Sequence, residues 1–328
     1  MKTAVYWKKL TAGKVSCLLC PHACVIADGK TGLCRVRYNL NGTLYSSIYA
    51  ETTSINLDPI EKKPLYHFYP GSRILSVGTN GCNFACSFCQ NWEISQTEQS
   101  GRQKMSSAET VELAVAGGSI GIAYTYNEPF IWFEFVLETA KLARKKKLRN
   151  VLVTNGYVNA EPLGELLPYI DAMNIDLKSI NADFYKKTCK GSLEPVKKTI
   201  ESSLKQCHVE LTNLLVTGKN DSETDLVKLI DYVSGLGKDV PLHFSRYFPI
   251  YKSTEPATPA AALRFAEFTA KKKLNYVYAG NLDAEKNSTC CPKCKTELIR
   301  RNGFSVEINL LKGSNCFKCG HKIPGCFK

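Results

Sequence analysis

Gly81-Cys82-Asn83-Phe84-Ala85-Cys86-Ser87-Phe88-Cys89 follows closely on the apolar run Ile74–Val77 and sets three cysteines at C-x3-C-x2-C spacing. Three thiolates are one short of the four that saturate a four-iron, four-sulfur cluster, so one iron keeps an open position. An open metal position can take a small molecule's amino and carboxylate groups directly, as a catalytic zinc keeps one for water. A structural zinc loop would want a fourth ligand nearby, and it would leave the pattern around this loop unexplained.

Outward from the loop, apolar runs alternate with helical patterns. Strands are expected at Ile74–Val77, Ile120–Tyr126, Val151–Thr154, Met173–Leu177, Val209–Val216, Leu242–Phe248 and Tyr276–Ala279. Helices are expected near 106–116, 131–147, 160–167, 194–205, 222–235 and 258–272, the first with a capping box, Ser106-x-x-Glu109. Alternation at this spacing predicts parallel βα units, in a barrel or an open doubly wound sheet. In a barrel enzyme, polar residues collect at the carboxyl ends of strands. Here the cysteine loop, Asn127-Glu128-Pro129, Asn155-Gly156, Asp176 with Lys178, His243 with Ser245 and Arg246, and Gly280-Asn281 all fall near such ends.

Two flanks depart from this texture. Residues 1–70 are rich in turn signals and short aromatic stretches and read as a small metal-stapled β module; 71–287 form the α/β core; 288–328 read as a second small module. The first flank carries Cys17, Cys20, Cys24 and Cys34, enough to close a tetrahedral zinc site or to fill an auxiliary iron–sulfur cluster. His22 inside this group is not needed as a ligand. The second carries Cys291-x2-Cys294 and Cys316-x2-Cys319, two knuckles at the separation of a zinc ribbon, with Cys290 and Cys326 as spares. Cys189 and Cys207 stand alone and read as small buried residues.

The chain has 328 residues, 44% hydrophobic and 22% charged, which suits one large domain with appendages and rules out a disordered or fibrous chain. No apolar run approaches the roughly 18 residues of a membrane span, and the start has no signal-peptide stretch, so no membrane association and a cytoplasmic location are expected. In a reducing compartment, 15 cysteines point to metal or redox chemistry rather than to disulfides. The 43 Lys+Arg against 30 Asp+Glu give a formal +13, but thiolates on bound metal would bring this to about +8. Arg144–Lys147 and Lys271–Lys273 end helices, where cations complement the helix dipole. Arg300-Arg301-Asn302-Gly303-Phe304, at a hairpin turn, is the better candidate for touching a nucleic acid or protein substrate.

The cysteine loop after the first strand, with an aromatic before its third cysteine, resembles the radical S-adenosylmethionine (radical SAM) superfamily. The resemblance extends to the pyruvate formate-lyase-activating branch. Tyr124-Thr125-Tyr126-Asn127-Glu128-Pro129 stands where that branch binds the SAM amino group, although its glycines are absent here. Thr154-Asn155-Gly156-Tyr157 and Asp176-Leu177-Lys178 look like its third- and fourth-strand motifs, and His243 matches a histidine near the nucleoside. Cys20-Pro21-His22-Ala23-Cys24, Asp58 to Leu65, Cys89 to Gln96 and Tyr124 to Pro129 further resemble the radical SAM enzyme of the AmmeMemoRadiSam system, over nearly the whole chain.

These resemblances imply a partial TIM-type (β/α)6 barrel, a 4Fe-4S cluster on Cys82, Cys86 and Cys89, and SAM positioned by Glu128, Asn155, Asp176, Lys178 and His243. They imply reductive cleavage of SAM to a 5'-deoxyadenosyl radical that abstracts hydrogen. An electron donor of flavodoxin or ferredoxin type is implied, with AMMECR-type and Memo-type proteins as partners. The substrate stays open: a glycyl-radical enzyme is suggested by the branch, whereas the basic balance and the ribbon also permit RNA or ribosomal modification. A non-catalytic zinc protein that binds nucleic acid would explain the two flanks and the charge, but not the three-cysteine loop.

Overall fold

The computed structural model describes residues 1–97, 102–281 and 287–327. Its centre is one eight-stranded sheet: β1 (Ser54–Pro59), β2 (Arg73–Gly78), β3 (Gly121–Tyr124), β4 (Arg149–Thr154), β5 (Ala172–Asp176), β6 (His208–Leu215), β7 (Leu242–Arg246) and β8 (Val277–Gly280). The strands lie side by side in chain order. A doubly wound sheet reverses its order at a switch point. This sheet never reverses, so it winds one way, as a barrel does. No pairing joins β8 to β1 among the described residues, and the barrel stays open.

Strands β2 to β8 pair in parallel and correspond to the seven expected strands, with ends shifted by a few residues. They read as near-continuous apolar runs because helices cover one face and the barrel interior the other. The crossover helices are α1 (Ser107–Ala116), α2 (Phe133–Lys145), α3 (Ala160–Leu166), α4 (Leu193–Ser203), α5 (Glu223–Leu236) and α6 (Ala260–Lys271). The capping box of α1 is formed: Glu109 N donates to Ser106 Oγ, and the Glu109 carboxylate accepts from Ser106 N. β1 was not expected. It is antiparallel to β2 at the edge of the sheet, where polar residues such as Asn56 and Asp58 are tolerated and the apolar signal is weak.

The amino-terminal stretch makes two small antiparallel sheets, one of Lys2–Thr3, Arg37–Leu40 and Thr43–Ser46, the other of Trp7–Lys9, Val15–Cys17 and Val25–Ile26. Its apolar residues Val15, Leu19, Val36 and Leu44 share one core with the barrel. A buried ion pair adds to this, Arg37 Nη1 to Glu134 Oε1 on α2 at 2.6 Å. The carboxy-terminal stretch forms a hairpin, β9 (Glu297–Asn302) and β10 (Ser305–Asn309), whose Leu298 and Ile299 pack with Cys291 against Tyr66, Tyr276 and Tyr278. It therefore covers the open side of the barrel, beside β8.

That packing corrects one expectation. Arg301 is not a surface cation for nucleic acid: its side chain is fully buried, donating to the carbonyl of Tyr66 at 2.6 Å and to Thr289 Oγ1 at 2.9 Å. The guanidinium also lies 4.3 Å from the centre of the Tyr66 ring. Arg300, on the outer face, pairs with Glu297 instead, Nε to Oε2 at 2.8 Å. Among the described residues no helix is long and apolar enough to cross a membrane.

Candidate functional site

A cavity of about 550 Å³ opens at the carboxyl ends of the barrel strands. Cys82, Cys86, Cys89, Glu128, Asn155, Asp176, Lys178 and His243 all line it. Residues expected from five strand ends, those of β2 to β5 and β7, thus meet around one space.

The cysteine loop is held by asparagines from the next two strands. Asn127 Nδ2 donates to the carbonyl of Gly81 at 2.8 Å, and its Oδ1 accepts from Thr79 N at 3.2 Å. Asn155 Nδ2 donates to Asn83 Oδ1 at 2.8 Å and lies 3.6 Å from Cys82 Sγ, while Asn83 Nδ2 reaches the carbonyl of Tyr157 at 2.7 Å. Phe84 N donates to Cys82 Sγ at 3.3 Å. Burial lifts the Cys82 and Cys89 thiols above their ordinary range; for Cys86 a hydrogen bond with the buried Cys189 thiol contributes most, followed by burial. Cys189, read from sequence as an inert core residue, therefore touches a member of the loop.

Glu128 is buried, and its oxygens accept from Phe130 N at 3.0 Å, Thr154 Oγ1 at 2.7 Å and Asn155 N at 2.8 Å. Burial lifts its carboxyl to about 7 despite these donors. A cation brought to it would restore the carboxylate. Lys178 Nζ donates to Asp176 Oδ2 at 2.8 Å. Burial opposes the ammonium, but the Asp176 carboxylate outweighs it and holds the lysine well above its ordinary value.

His243 is fixed by a partner that sequence reasoning missed. Its Nε2 lies 2.6 Å from Glu210 Oε2 on β6, and the same carboxylate accepts from His208 Nε2 at 2.9 Å and from His67 N at 2.7 Å. Burial alone would raise Glu210; hydrogen bonds from His208 and His243 reverse this and hold it well below the ordinary range. A glutamate between two apolar residues of a buried parallel strand, Val209-Glu210-Leu211, was the signal available. Lys63 was missed too: it lines the cavity, pairs with Asp58 at 2.7 Å and lies 4.6 Å from the centre of the Tyr126 ring.

The three thiols of the loop are donors suited to iron or zinc, and all three line the one cavity. Among the described residues only Cys291, Cys294, Cys316 and Cys319 form a group whose ligand atoms all lie within 4.8 Å of one another. In that group Cys291 and Cys319 are 3.6 Å apart, and Cys294 and Cys316 are 3.7 Å apart. A tetrahedral zinc with Zn–S bonds of about 2.3 Å sets its sulfurs about 3.8 Å apart. The carboxy-terminal group thus has the span of a single ion, whereas the Cys82 loop borders a cavity of about 550 Å³, with room for a polynuclear group. Cys290 is exposed, and Cys326 is a backbone clip, its carbonyl accepting from Tyr69 N at 2.6 Å; neither joins the group.

Comparison with known proteins agrees with this geometry. Residues 76–233 match the model of the Radical SAM superfamily. The uncharacterized protein MJ0808 of Methanocaldococcus jannaschii is 45% identical over 98% of this chain and 99% of its own length. A pyruvate formate-lyase-activating enzyme of Streptococcus mutans is 25% identical over 51% of this chain and 68% of its own. Among solved structures, Streptococcus suis SuiB bound to S-adenosylmethionine aligns with a TM-score of 0.52 at 13% identity, covering 68% of this chain and 53% of that one.

Proposed function

The chain belongs to the radical SAM superfamily and is an enzyme, and from that premise we propose that Cys82, Cys86 and Cys89 hold its 4Fe-4S cluster and that the 550 Å³ cavity takes SAM and the substrate. Bound together, cluster and SAM supply one-electron chemistry that ends in removal of hydrogen from an unreactive C–H bond. The chain's own part is to bind, orient and exclude water. Glu128, poised near 7, receives a cationic amino group; Asp176 and Lys178 offer a fixed pair of opposite charges; Asn155 braces both the cysteine loop and the cavity wall. His243, with Nε2 occupied by Glu210, keeps Nδ1 for a ligand.

The observation that carries this reading is the convergence of these eight residues on one cavity. Anaerobically reconstituted protein should release 5'-deoxyadenosine from SAM with a chemical reductant, and Cys86→Ala should not. Undiminished release from Cys86→Ala would overturn the assignment.

The finer reading follows the same resemblances. Residues 1–70, 71–287 and 288–328 act as cysteine-rich module, radical SAM core and zinc ribbon, with zinc on Cys291, Cys294, Cys316 and Cys319. The S–S distances of 3.6 and 3.7 Å support zinc there. A flavodoxin or ferredoxin supplies electrons, and the enzyme works within an AmmeMemoRadiSam system with AMMECR-type and Memo-type partners. Similarity to a pyruvate formate-lyase-activating enzyme favours a second reading, a glycyl-radical activase. Incubation with a glycyl-radical enzyme, SAM and reductant separates the two: a glycyl doublet in the EPR spectrum supports the activase. The burial of Arg301 weakens the case for an RNA substrate, because it removes one of the two cations on which a ribbon contact was to rest and the other, Arg300, is paired with Glu297.

A further inference from the structure

The basic runs read from the sequence end helices, and this fixes where they lie. α2 ends at Lys145 and leads into the start of β4, and α6 ends at Lys271 and leads into the start of β8, so Arg144–Lys147 and Lys271–Lys273 sit at the amino ends of the strands. Another group of lysines lies at the carboxyl ends, beside the Cys82 loop. We propose that Lys186, Lys190 and Lys252 form the docking surface for a small acidic one-electron carrier protein, which passes its electron to the cluster from behind this loop. The proposal rests on the reading of Cys82, Cys86 and Cys89 as cluster ligands and names where the partner of that site binds.

Backbone contacts hold these lysines to the loop. After β5 the chain makes a π-helical turn, Tyr185–Cys189, a rare conformation that is frequent at functional sites. The carbonyl of Cys189 accepts from Ala85 N at 2.9 Å, and that of Thr188 accepts from Ser87 N at 3.4 Å. Gly191 closes the turn against the Phe84 ring, with no room for a side chain. From the segment after β7, Lys252 N donates to the carbonyl of Ser87 at 3.0 Å. Tyr185 and Cys189 are buried, whereas Lys186, Lys187, Lys190 and Lys252 are exposed.

The loop presents two faces. Cys82, Phe84, Cys86 and Phe88 line the 550 Å³ cavity, whereas Ala85 is exposed to solvent, Ser87 is half-buried, and neither lines it. Lys186, Lys190 and Lys252 do not line it either. A partner held on this outer face is kept from the cavity, yet it comes within one residue of Cys86. Hydrogen abstraction needs contact and electron transfer needs only proximity, so the position favours an electron carrier over an RNA substrate. The charge is available for a partner. Of the acidic side chains on these segments, Asp183 pairs with Lys187 at 2.7 Å and Glu255 with Lys219 at 2.8 Å, and Glu93 stands exposed on the short helix after the loop. Among the described residues Lys186, Lys190 and Lys252 take part in no ion pair. Trp92 stacks on Tyr251 with ring centres 5.1 Å apart, and Lys252 Nζ lies 5.1 Å from the centre of the Tyr251 ring. A half-buried aromatic pair beside free cations suits an interface steered by charge. One electron leaves the carrier and enters the cluster; the carrier is oxidised by one, the cluster is reduced by one, and no proton or ligand is exchanged at this surface.

The test compares Lys186→Glu/Lys190→Glu/Lys252→Glu with Lys145→Glu/Lys146→Glu/Lys147→Glu, the same change of charge at the opposite end of the barrel, each in the full reconstituted chain. Iron content, and 5'-deoxyadenosine release driven by a photoreduced deazaflavin, should match wild type in both. Reduction of the cluster by reduced flavodoxin, followed by stopped flow, should slow roughly tenfold or more in the first variant and little in the second. Flavodoxin binding, read by fluorescence anisotropy, should weaken by a similar factor. Added salt should slow the wild-type reaction with flavodoxin but not that of the first variant. A first variant as fast as wild type, or equal losses in the two variants, would overturn the proposal. So would weaker binding of a tRNA probe with flavodoxin binding unchanged, which would assign the surface to RNA. The salt dependence of wild type needs no variant, and a rate indifferent to salt would also overturn the proposal. Failure of the deazaflavin to reduce wild type is a separate result: it would sink the catalytic assignment, and the docking surface with it.

Discussion

Arg301 Nε lies 3.4 Å from Glu61 Oε1, and both side chains are wholly excluded from water. This contact joins the carboxy-terminal hairpin to the turn after β1, across the opening that the sheet leaves. Burial raises the Glu61 carboxyl above its ordinary value despite the arginine, so the pair is held by its surroundings rather than by its own attraction. Removing one partner of such a pair costs about 3–5 kcal/mol, because the other charge stays buried. Arg301→Ala should therefore lower stability by about that amount. Glu61→Gln/Arg301→Met, which keeps an acceptor for Gly71 N, should lose clearly less. Denaturant titration of the three proteins makes the comparison; equal losses would show that packing, not charge, holds the hairpin.

His67 predicts an acid-sensitive clasp at the same end of the molecule. Its Nδ1 lies 2.8 Å from the carbonyl of Pro324, which can only accept, so Nδ1 carries the proton and Nε2 accepts from Tyr278 Oη at 2.7 Å. The ring is therefore neutral, and burial pushes its pKa down to about 4, against a favourable contribution from Glu210. The unfolded chain protonates this residue near 6.5. Between the two values the unfolded state binds more protons, so stability falls as pH drops from about 6.5 toward 4, by roughly 2 kcal/mol at pH 4.5. Amide exchange at Tyr69 and Cys326, which pair across this clasp, should speed up over that range after correction for intrinsic rates. His67→Gln should flatten the dependence.

What the sequence disclosed and what it hid have physical causes. The seven parallel strands are buried on both faces and announce themselves as apolar runs, and the polar residues at their ends stand out against them. Glu210 lies inside such a run; His208 is two residues away on the same strand, but His67 and His243 are on other elements, 143 and 33 residues away. Arg301 resembles a surface cation because its partner is 240 residues away. Edge strand β1 alternates only Ile55 and Leu57 with polar residues before Pro59, too short a pattern to stand out. Cysteine spacing identifies ligand sets but not their span, and the span separates one metal ion from a cluster.

Gly81 couples the two cysteine sites. Its φ of +90° lies where side chains are rarely placed, and a Cβ there would meet the carbonyl oxygen of Cys34 at 2.6 Å and Val36 Cγ1 at 2.7 Å. Gly81→Ala must move either the Cys82 loop or the turn at Cys34, at a cost of roughly 1–3 kcal/mol. Iron bound on reconstitution should fall by about half or more, since three-point ligation tolerates little displacement. Gly164→Ala is the control: it lies in α3 with open space around it, and its iron content should match wild type. Normal iron in Gly81→Ala would mean that the loop adapts to the added methyl.

Glu210→Gln tests whether the buried carboxylate positions His243. Glu210 accepts three hydrogen bonds, from His67 N and from the Nε2 atoms of His208 and His243. A glutamine offers one acceptor oxygen and an NH2 donor, so at least one histidine must change tautomer or lose its partner. An unmatched buried polar group costs about 1–3 kcal/mol, which corresponds to a loss of roughly tenfold or more in affinity for a ligand held by His243. The variant should retain its iron, since Glu210 touches none of the cysteines, but bind SAM more weakly in anaerobic calorimetry. Below the folded pKa of Glu210 the wild-type network should fail in the same way; because that pKa is held well down, SAM affinity should not fall through Glu210 protonation as pH drops from 8 to 6. Unchanged SAM affinity in Glu210→Gln, with iron intact, would confine Glu210 to a structural role in the barrel.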